Sequence, residues 1–552
     1  MARKKGMGEP LEAYLRRSGL PLEATLVAPA GSDAKARVKL VNSLHREKKQ
    51  LPISRENEEM KQLLMLLFGN AMDLILREHR FGPAETPALV VCLNGVADRD
   101  LAERGLAELA SCRSLAPEQP EELLQWLATV RSSIPEAKVE TRLDQMLSSL
   151  MLGHTIVLLQ GAAAALDLTT PGIPHRPVKE PFTEGVVRGP REGFTEALLV
   201  NTALLRRRLK DERLRMDGLT IGERTATRVV VTYLEGLCRP ELVAEVHKRL
   251  GRIKIDGILD TTYLEEFIED TTWTVFPLSN STERPDAVAA ALLEGRVAVM
   301  TDGSPFVLCV PVAFNDLMQS SEDYYERFPI ILLVRVLRWL FAAIALLGPA
   351  FYVAFTTFHH EMLPYQLLVS ILSAREGVPF PAVVEALIME IAFEALREAG
   401  IRMPKQIGQA ISIVGALVIG QAAVQAGIVS APMVIVVSLT GLASFVVPKF
   451  GAAISLRLLR FVMLFVAGTF GAYGLTLGVV CVLVHLLSLR SFGAPYYSPM
   501  APLIADDLDD AMLRAPVWMN RKRPTLAEPL DRQRTPPGLG PNKFVPTKEE
   551  QP

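Results

Sequence analysis

Hydrophobic residues divide the chain into two contrasting halves. Nearly all of the long uncharged apolar runs lie between Ile330 and Leu489, whereas residues 1–329 mix apolar and polar positions as a soluble protein does. In the first half, Asn57–Arg80 places apolar residues at helical spacing, and Ala88–Leu93 is a short β-rich run that precedes a helical pattern. The pattern over residues 51–170 therefore predicts a small α/β subdomain.

A second soluble α/β subdomain is predicted over residues 191–329. It opens with a helix over Arg191–Lys210 and continues with strands at Leu214–Ile221 and Val229–Leu234. The basic run from Arg206 to Lys210 is followed at once by acidic residues, which predicts a solvated or membrane-facing helix surface.

Three further segments have a composition unlike that of a packed domain. Residues 1–50 are charged and show little apolar periodicity, which predicts a mostly flexible leader. Residues 171–190 are rich in proline, which predicts an extended linker. Residues 490–552 form a tail whose Pro-rich end, after Arg521, is predicted to be disordered.

Residues 330–489 predict an all-α polytopic transmembrane domain, because about 20 apolar residues suffice to cross a hydrocarbon core. The candidate spans are Leu337–Phe358, Ala410–Val429, Met433–Val447 and Phe461–Leu487. Gly348 and Pro349 are expected to kink the first span, because proline removes a backbone donor in mid-helix. The glycine-rich last run is either one span or a hairpin, and these alternatives place the tail on opposite sides of the membrane.

One apolar helix, Pro379–Pro404, carries Glu385, Glu390 and Glu394. A charged side chain at membrane depth costs about 2.5 kcal/mol or more, so it must face water or a partner. Glu390 and Glu394 lie about 40° apart around the helix, and Glu385 lies in its first turns. Two interpretations stay open: the three acids line a cation pathway, with several copies forming rings of negative charge, or the helix is interfacial and the acids lie among headgroups.

Charge distribution predicts the orientation of the spans. The loops after Glu394 and after Val447 are basic, which places both in the cytoplasm by the positive-inside rule. The N-terminus has positive charge but no apolar segment behind it, so no cleavable signal peptide is expected. The N-terminal half is accordingly predicted to be cytoplasmic.

Composition argues against several classes of function. A net charge of −2 gives no global electrostatic reason to bind nucleic acid. The five scattered cysteines form no CxxC pair, and neither G-x-x-x-x-G-K-[ST] nor a G-x-G-x-x-G after a strand occurs. We therefore expect no enzyme activity, no cofactor and no metal site.

Several long stretches resemble the A-subunit family of spore germinant receptors, the GerA family, which includes relatives in the stage V sporulation machinery. The resemblance covers residues 190–524. It is carried by PREGFTEALLVNTALLRRRL (Pro190–Leu209), DGLTIGERT (Asp217–Thr225), IDGILDTTYLEEFIED (Ile255–Asp270), REGVPFPAVVEALIMEIAFEALREAGIRMP (Arg375–Pro404) and SFGAPYYSPMAP (Ser491–Pro502).

The resemblance implies a multi-pass protein of the spore inner membrane that works with a transporter-like B subunit and a lipoprotein C subunit. It also implies a homo-oligomer that acts as a nutrient-gated ion channel and releases ions at germination. Two other functions remain open, a non-conducting scaffold that transmits a signal or anchors partners, and a secondary transporter, although the spans show no inverted repeat.

Overall fold

The computed structural model describes residues 9–17, 34–69, 71–111, 116–130, 132–172, 180–181, 183–402 and 418–541. The chain divides into two compact units. The N-terminal unit contains Met1–Glu269, Ser279–Pro311 and Lys522–Arg534, and the helical unit contains Asp270–Leu278, Val312–Arg521 and Thr535–Pro552.

The first α/β subdomain is a five-stranded antiparallel sheet with helices packed against it. Its helices are α3 (Asn57–Phe68), α4 (Arg99–Ser111), α5 (Pro120–Thr129) and α6 (Leu143–Met151). Its strands are β1 (Leu74–Phe81), β2 (Thr86–Leu93), β3 (Ala137–Glu140), β4 (Thr155–Leu159) and β5 (Ala165–Leu168), in the spatial order β1-β2-β4-β5-β3. Apolar clusters cover both faces of the sheet.

The second α/β subdomain repeats this arrangement. Its helices are α7 (Leu198–Arg208), α8 (Pro240–Gly251), α9 (Thr261–Ile268) and α10 (Pro285–Leu293). Its strands are β6 (Leu214–Ile221), β7 (Thr227–Leu234), β8 (Asn280–Thr282), β9 (Val297–Thr301) and β10 (Val307–Val310), in the order β6-β7-β9-β10-β8. The prediction of two α/β subdomains in the first half therefore agrees with the architecture, and the matching strand orders add a structural repeat.

The helix predicted over Asn57–Arg80 is too long. It ends at Phe68, because Gly69 adopts a positive φ of 69°, and residues 74–81 form β1 instead. A Cβ at Gly69 would lie 2.8 Å from Arg215 Nη1, so a larger residue would also displace that guanidinium.

The leader is helical where the structure describes it, contrary to the flexible segment predicted. Residues Glu9–Arg17 form α1 and Ala34–Glu47 form α2. Leu11, Leu15 and Leu44 are buried in the core of the first subdomain, which explains why a segment of low apolar content folds.

Part of the tail also departs from the disorder predicted for it. Residues 522–534, called the strap below, pack on the second subdomain, where Leu530 N donates to Leu237 O at 2.9 Å and Arg523 Nε donates to Leu293 O at 2.9 Å. Ala527 is buried. Residues 542–552 lie outside the described part of the chain.

Buried arginines join the two α/β subdomains within the N-terminal unit. Arg206 is fully buried and donates to both carboxylate oxygens of Asp73 at 2.9 and 3.0 Å. Arg215 donates to the carbonyl oxygens of Leu66 and Leu67. The expectation of an exposed basic surface is therefore wrong at Arg206, whose buried guanidinium neutralises Asp73.

The helical unit contains the apolar half of the sequence. Its helices are α11 (Phe314–Leu317), α12 (Phe328–Thr357), α13 (Tyr365–Arg375), α14 (Ala382–Arg402), α15 (418–425), α16 (Ala431–Phe445) and α17 (Phe450–Ser488), and the strands β11 (Arg490–Ser491) and β12 (Ala494–Pro495) form a short hairpin. Among the described residues, α12 and α17 are long and apolar enough to cross a membrane. Residues 410–417 of the span predicted at Ala410–Val429 lie outside the described residues, and residues 418–425 of it form α15.

The helical run α17 is a hairpin of two antiparallel helices. Gly471 is non-helical, with φ 61° and ψ −144°. Ser455 Oγ donates to Val275 O, and His485 Nε2 lies 3.0 Å from Thr274 Oγ1, although the two side chains would be about 45 Å apart on a straight helix. The chain therefore turns back at Gly471, which favours the hairpin alternative for the last predicted span.

Candidate functional site: the carboxylates of α14

Helix α14 carries the three predicted site glutamates and packs between α12, α16 and α17. Pro381 precedes it, and Glu385 lies in its first turn, where a carboxylate interacts favourably with the helix dipole. Ala386 and Met389 are buried against Val353 of α12 and Met433 of α16. The apolar face of α14 therefore packs inside the helical unit.

Glu385 is completely buried and fully hydrogen-bonded. Its Oε1 accepts from Arg375 Nε at 3.1 Å, and its Oε2 accepts from the backbone N–H of Ser430 at 2.9 Å. Ser430 is the residue that precedes α16, so the carboxylate caps the positive end of that helix. Glu385 thus joins α13, α14 and α16 at one point.

Glu390 is paired with Arg460 of α17. The two charged groups are 2.8 Å apart, and their side chains are 1% and 4% exposed. The contact is not aligned as a hydrogen bond, and both carboxylate oxygens, together with Arg460 Nε and Nη1, have no hydrogen-bond partner in the described part of the chain. The pair is therefore held by the attraction of opposite charges in a buried environment rather than by aligned hydrogen bonds.

Glu394, one helical turn later, is 40% exposed and contacts two arginines. Arg457 Nη1 lies 3.2 Å from its Oε1, and Arg397 Nη1 lies 3.7 Å from its Oε2. Arg397 also donates to Ser444 Oγ at 2.8 Å, and its guanidinium lies 4.6 Å from the centre of the Phe445 ring. Glu394 therefore bridges α14 to α17 and, through Arg397, to α16.

We call the following residues the ion-pair cluster: Glu390, Glu394, Arg397, Arg457 and Arg460. It contains two of the predicted site residues, while Glu385 forms a separate site with Arg375. Arg457 and Arg460 belong to the basic segment after Val447 that the sequence predicts to be a cytoplasmic loop. They lie instead in α17, where they pair with the two glutamates. Their i, i+3 spacing, matching the i, i+4 spacing of the two glutamates, was the available signal.

Gly348 and Pro349 both lie within α12, which continues to Thr357. A Cβ at Gly348 would lie 2.8 Å from Thr440 Oγ1, so the glycine lets α16 approach α12 closely. The expected kink at this point stays a prediction.

Comparison with known proteins gives consistent results. Residues 62–526 match the family described as "Bacillus/Clostridium GerA spore germination protein". The chain is 46% identical to "Uncharacterized membrane protein YfkQ" of Bacillus subtilis (strain 168) over 473 residues, 86% of this chain and 91% of that protein. It is 46% identical to "Spore germination protein KA" of the same organism over 468 residues, 84% of this chain and 86% of that protein.

Among solved structures, the chain is similar to the N-terminal domain of the A subunit of the Bacillus megaterium spore germinant receptor GerK3. The two are 29% identical, the match covers 48% of this chain and 97% of that domain, and the TM-score is 0.38.

Proposed function

This chain belongs to the GerA family of spore germination proteins, and on that premise we propose that it is an A-type germinant receptor subunit whose copies assemble into a gated ion channel of the spore inner membrane. The observation that carries this proposal is that an apolar helix holds three glutamates, the buried Glu385 and Glu390 and the partly exposed Glu394, each beside an arginine of another segment. Such pairs stabilise a non-conducting arrangement. Release of the carboxylates from their arginines would expose negative charge to an ion pathway.

The apolar helices support a membrane location. Helix α12 has 30 residues and α17 has 39, and the first half of the α17 hairpin, residues 450–470, is long enough for about 30 Å of hydrocarbon. The relative named YfkQ is described as a membrane protein. We infer that the helical unit is multi-pass.

The strap supports an even number of crossings. Residues 522–534 follow all of the apolar helices and pack on the second α/β subdomain, which precedes them. A chain that leaves a soluble unit and returns to it crosses the membrane an even number of times. We propose that the N-terminal unit and the strap lie in the cytoplasm, the side that the positive-inside rule predicts for the basic segments.

We propose a transporter-like B subunit and a lipoprotein C subunit as partners, as the resemblance to the GerA family implies. No nutrient-binding role is assigned to this chain.

A second candidate function is a non-conducting scaffold that transmits a signal. The observation that favours it is that arginines of the same chain neutralise the three glutamates, so that a single copy already satisfies their charge. The two functions differ in copy number and in ion flux.

Native mass and ion release from vesicles distinguish these candidates. The channel function predicts several copies of the full-length chain in detergent and potassium release from vesicles that contain this chain alone. The scaffold predicts a monomer, and release only when other subunits are present. Glu394→Gln should change this release while circular dichroism stays unchanged, whereas Glu376→Gln, an exposed glutamate after α13, should leave it at the wild-type rate. A monomer that releases no ions would leave only the scaffold.

A further inference from the structure

A pocket of about 460 Å³ opens on the N-terminal unit where the leader, the second subdomain and the strap meet. Its volume is within the range of small-molecule sites, roughly 300–1,000 Å³. Its polar lining consists of Asn42, His45 and Arg46 from α2, Arg213 from the second subdomain, and Asp531 and Arg532 from the strap.

Close contacts fix α2 beside this pocket. Lys48 Nζ donates to the two carboxylate oxygens of Glu212 at 2.9 and 3.0 Å, and His45 Nδ1 lies 2.6 Å from Oε1 of the same group. A Cβ at Gly236 would lie 2.3 Å from Asn42 Oδ1, so α2 packs directly on the turn after β7. Lys48 already supplies the cation at Glu212, which argues against a metal ion there.

Positive charge exceeds negative charge in the pocket. The lining contains three arginines and one aspartate. Asp531 is paired with Arg523 at 3.3 Å, and Arg213 with Asp211 at 2.7 Å. Arg46 and Arg532, by contrast, are exposed and make no ion pair with any residue that the structure describes.

We propose that this pocket binds a phosphate group, either inorganic phosphate or the phosphate of a small molecule, between Arg46 and Arg532. A guanidinium presents a planar fork of donors that matches phosphate oxygens, and two forks supply enough charge for a dianion. Seven of the ten lining residues lie outside the range 62–526 that the family match covers. The site therefore belongs to the leader and tail of this chain, and the bound phosphate joins them across the second subdomain.

Calorimetric titration of the full-length chain in detergent with inorganic phosphate, at constant ionic strength, tests this proposal. The wild-type chain should bind phosphate, and Arg46→Gln with Arg532→Gln should weaken binding at least about tenfold. Arg228→Gln, an exposed arginine of β7 outside the pocket lining, should leave the affinity unchanged. Phosphate should also slow amide exchange in residues 34–47 and 522–534 of the wild-type chain but not of the double variant.

Glycerol 3-phosphate, titrated in the same way, distinguishes the two sources of the group. Tighter binding of the ester than of inorganic phosphate identifies a phosphate-bearing small molecule, and the reverse identifies free phosphate. The proposal would be overturned if neither probe bound, or if the double variant bound phosphate with the same affinity as the wild-type chain. It would also be overturned if nitrate at equal ionic strength gave the same heat as phosphate. These outcomes are independent of ion flux, so they do not depend on the proposed channel.

Discussion

Glu390 and Arg460 place opposite charges 2.8 Å apart in an environment that excludes solvent. Removal of one member of a buried pair leaves the other uncompensated, which typically costs about 3–5 kcal/mol. The glutamates could be identified from the sequence because charge is rare in an apolar helix. Their partners could not, because the approach of α17 to α14 is a tertiary contact between residues about 70 positions apart.

Arg206 offers a test of buried charge in the N-terminal unit. Substitution of Arg206 by Met should lower the free energy of unfolding by about 3–5 kcal/mol, since Asp73 would stay buried without its partner. Denaturant unfolding followed by fluorescence measures this change. Arg207→Met is the matched control, because Arg207 is 38% exposed and its pair with Glu192 lies at the surface. Equal effects of the two substitutions would contradict the burial of Arg206.

The ionisation of Glu212 should make the packing of the leader helix α2 depend on pH. Burial alone would raise the pKa of its carboxyl, but hydrogen bonds from His45 and Lys48 outweigh burial and lower the pKa from 4.5 to about 2. A carboxyl with a lowered pKa stabilises the folded state above its unfolded pKa, and this stabilisation is lost as the pH falls through the folded value.

Amide exchange in α2 should therefore be faster in Glu212→Gln than in the wild-type chain at pH 7. The difference should shrink as the pH falls from 4.5 towards 2, since the wild-type carboxyl then becomes neutral as well. A difference that stays constant over this range would show that the charge of Glu212 does not hold the leader.

At the scale of elements, local patterns predict most segments but miss those whose ends depend on tertiary packing. Strand β6 has the bounds predicted for it, Leu214–Ile221, and β7 begins two residues before the strand predicted at Val229–Leu234. The sequence predicts β1 as the end of a helix, because Leu74, Ile75 and Leu76 fit either period until the break at Gly69 is known. The hairpin in α17 was one of two alternatives, and only the contacts of Ser455 and His485 decide between them.

Gly471 is the residue on which this hairpin depends. Its φ and ψ lie in a region that costs other residues about 1–3 kcal/mol, and a Cβ there would lie 2.9 Å from both Phe358 Cβ and His359 Cε1. Gly471→Ala should lower the melting temperature of the helical unit in detergent. Gly377→Ala is the control, because a Cβ there meets no atom within 4 Å. Equal melting temperatures of the two variants would argue for a continuous helix.

At the scale of the whole molecule, the division into a mixed α/β half and an apolar helical half follows from composition and periodicity alone. The shared strand order of the two sheets could not be predicted in this way, because pairing between distant strands leaves little trace in a single sequence. The strap was also missed, since the prolines and charges of residues 522–534 resemble those of a disordered tail although Ala527 is buried.

The strap gives a test of topology. Single cysteines introduced at Arg228 in β7 and at Arg534 in the strap, both exposed, should react with an impermeant maleimide from the same side of sealed membrane vesicles. The Cys481→Ser background removes the exposed cysteine of α17. Labelling of the two positions from opposite sides would require an odd number of crossings and would contradict the proposed arrangement.

The most direct test of the channel exchanges the charges of the Glu390–Arg460 pair and measures potassium flux through vesicles that contain the complete receptor. Glu390→Gln and Arg460→Gln should each change the resting flux, and the exchange of both residues, Glu390→Arg with Arg460→Glu, should move it back towards the wild-type value because the pair is restored. If all four proteins give the same flux while remaining folded, these carboxylates do not control an ion pathway.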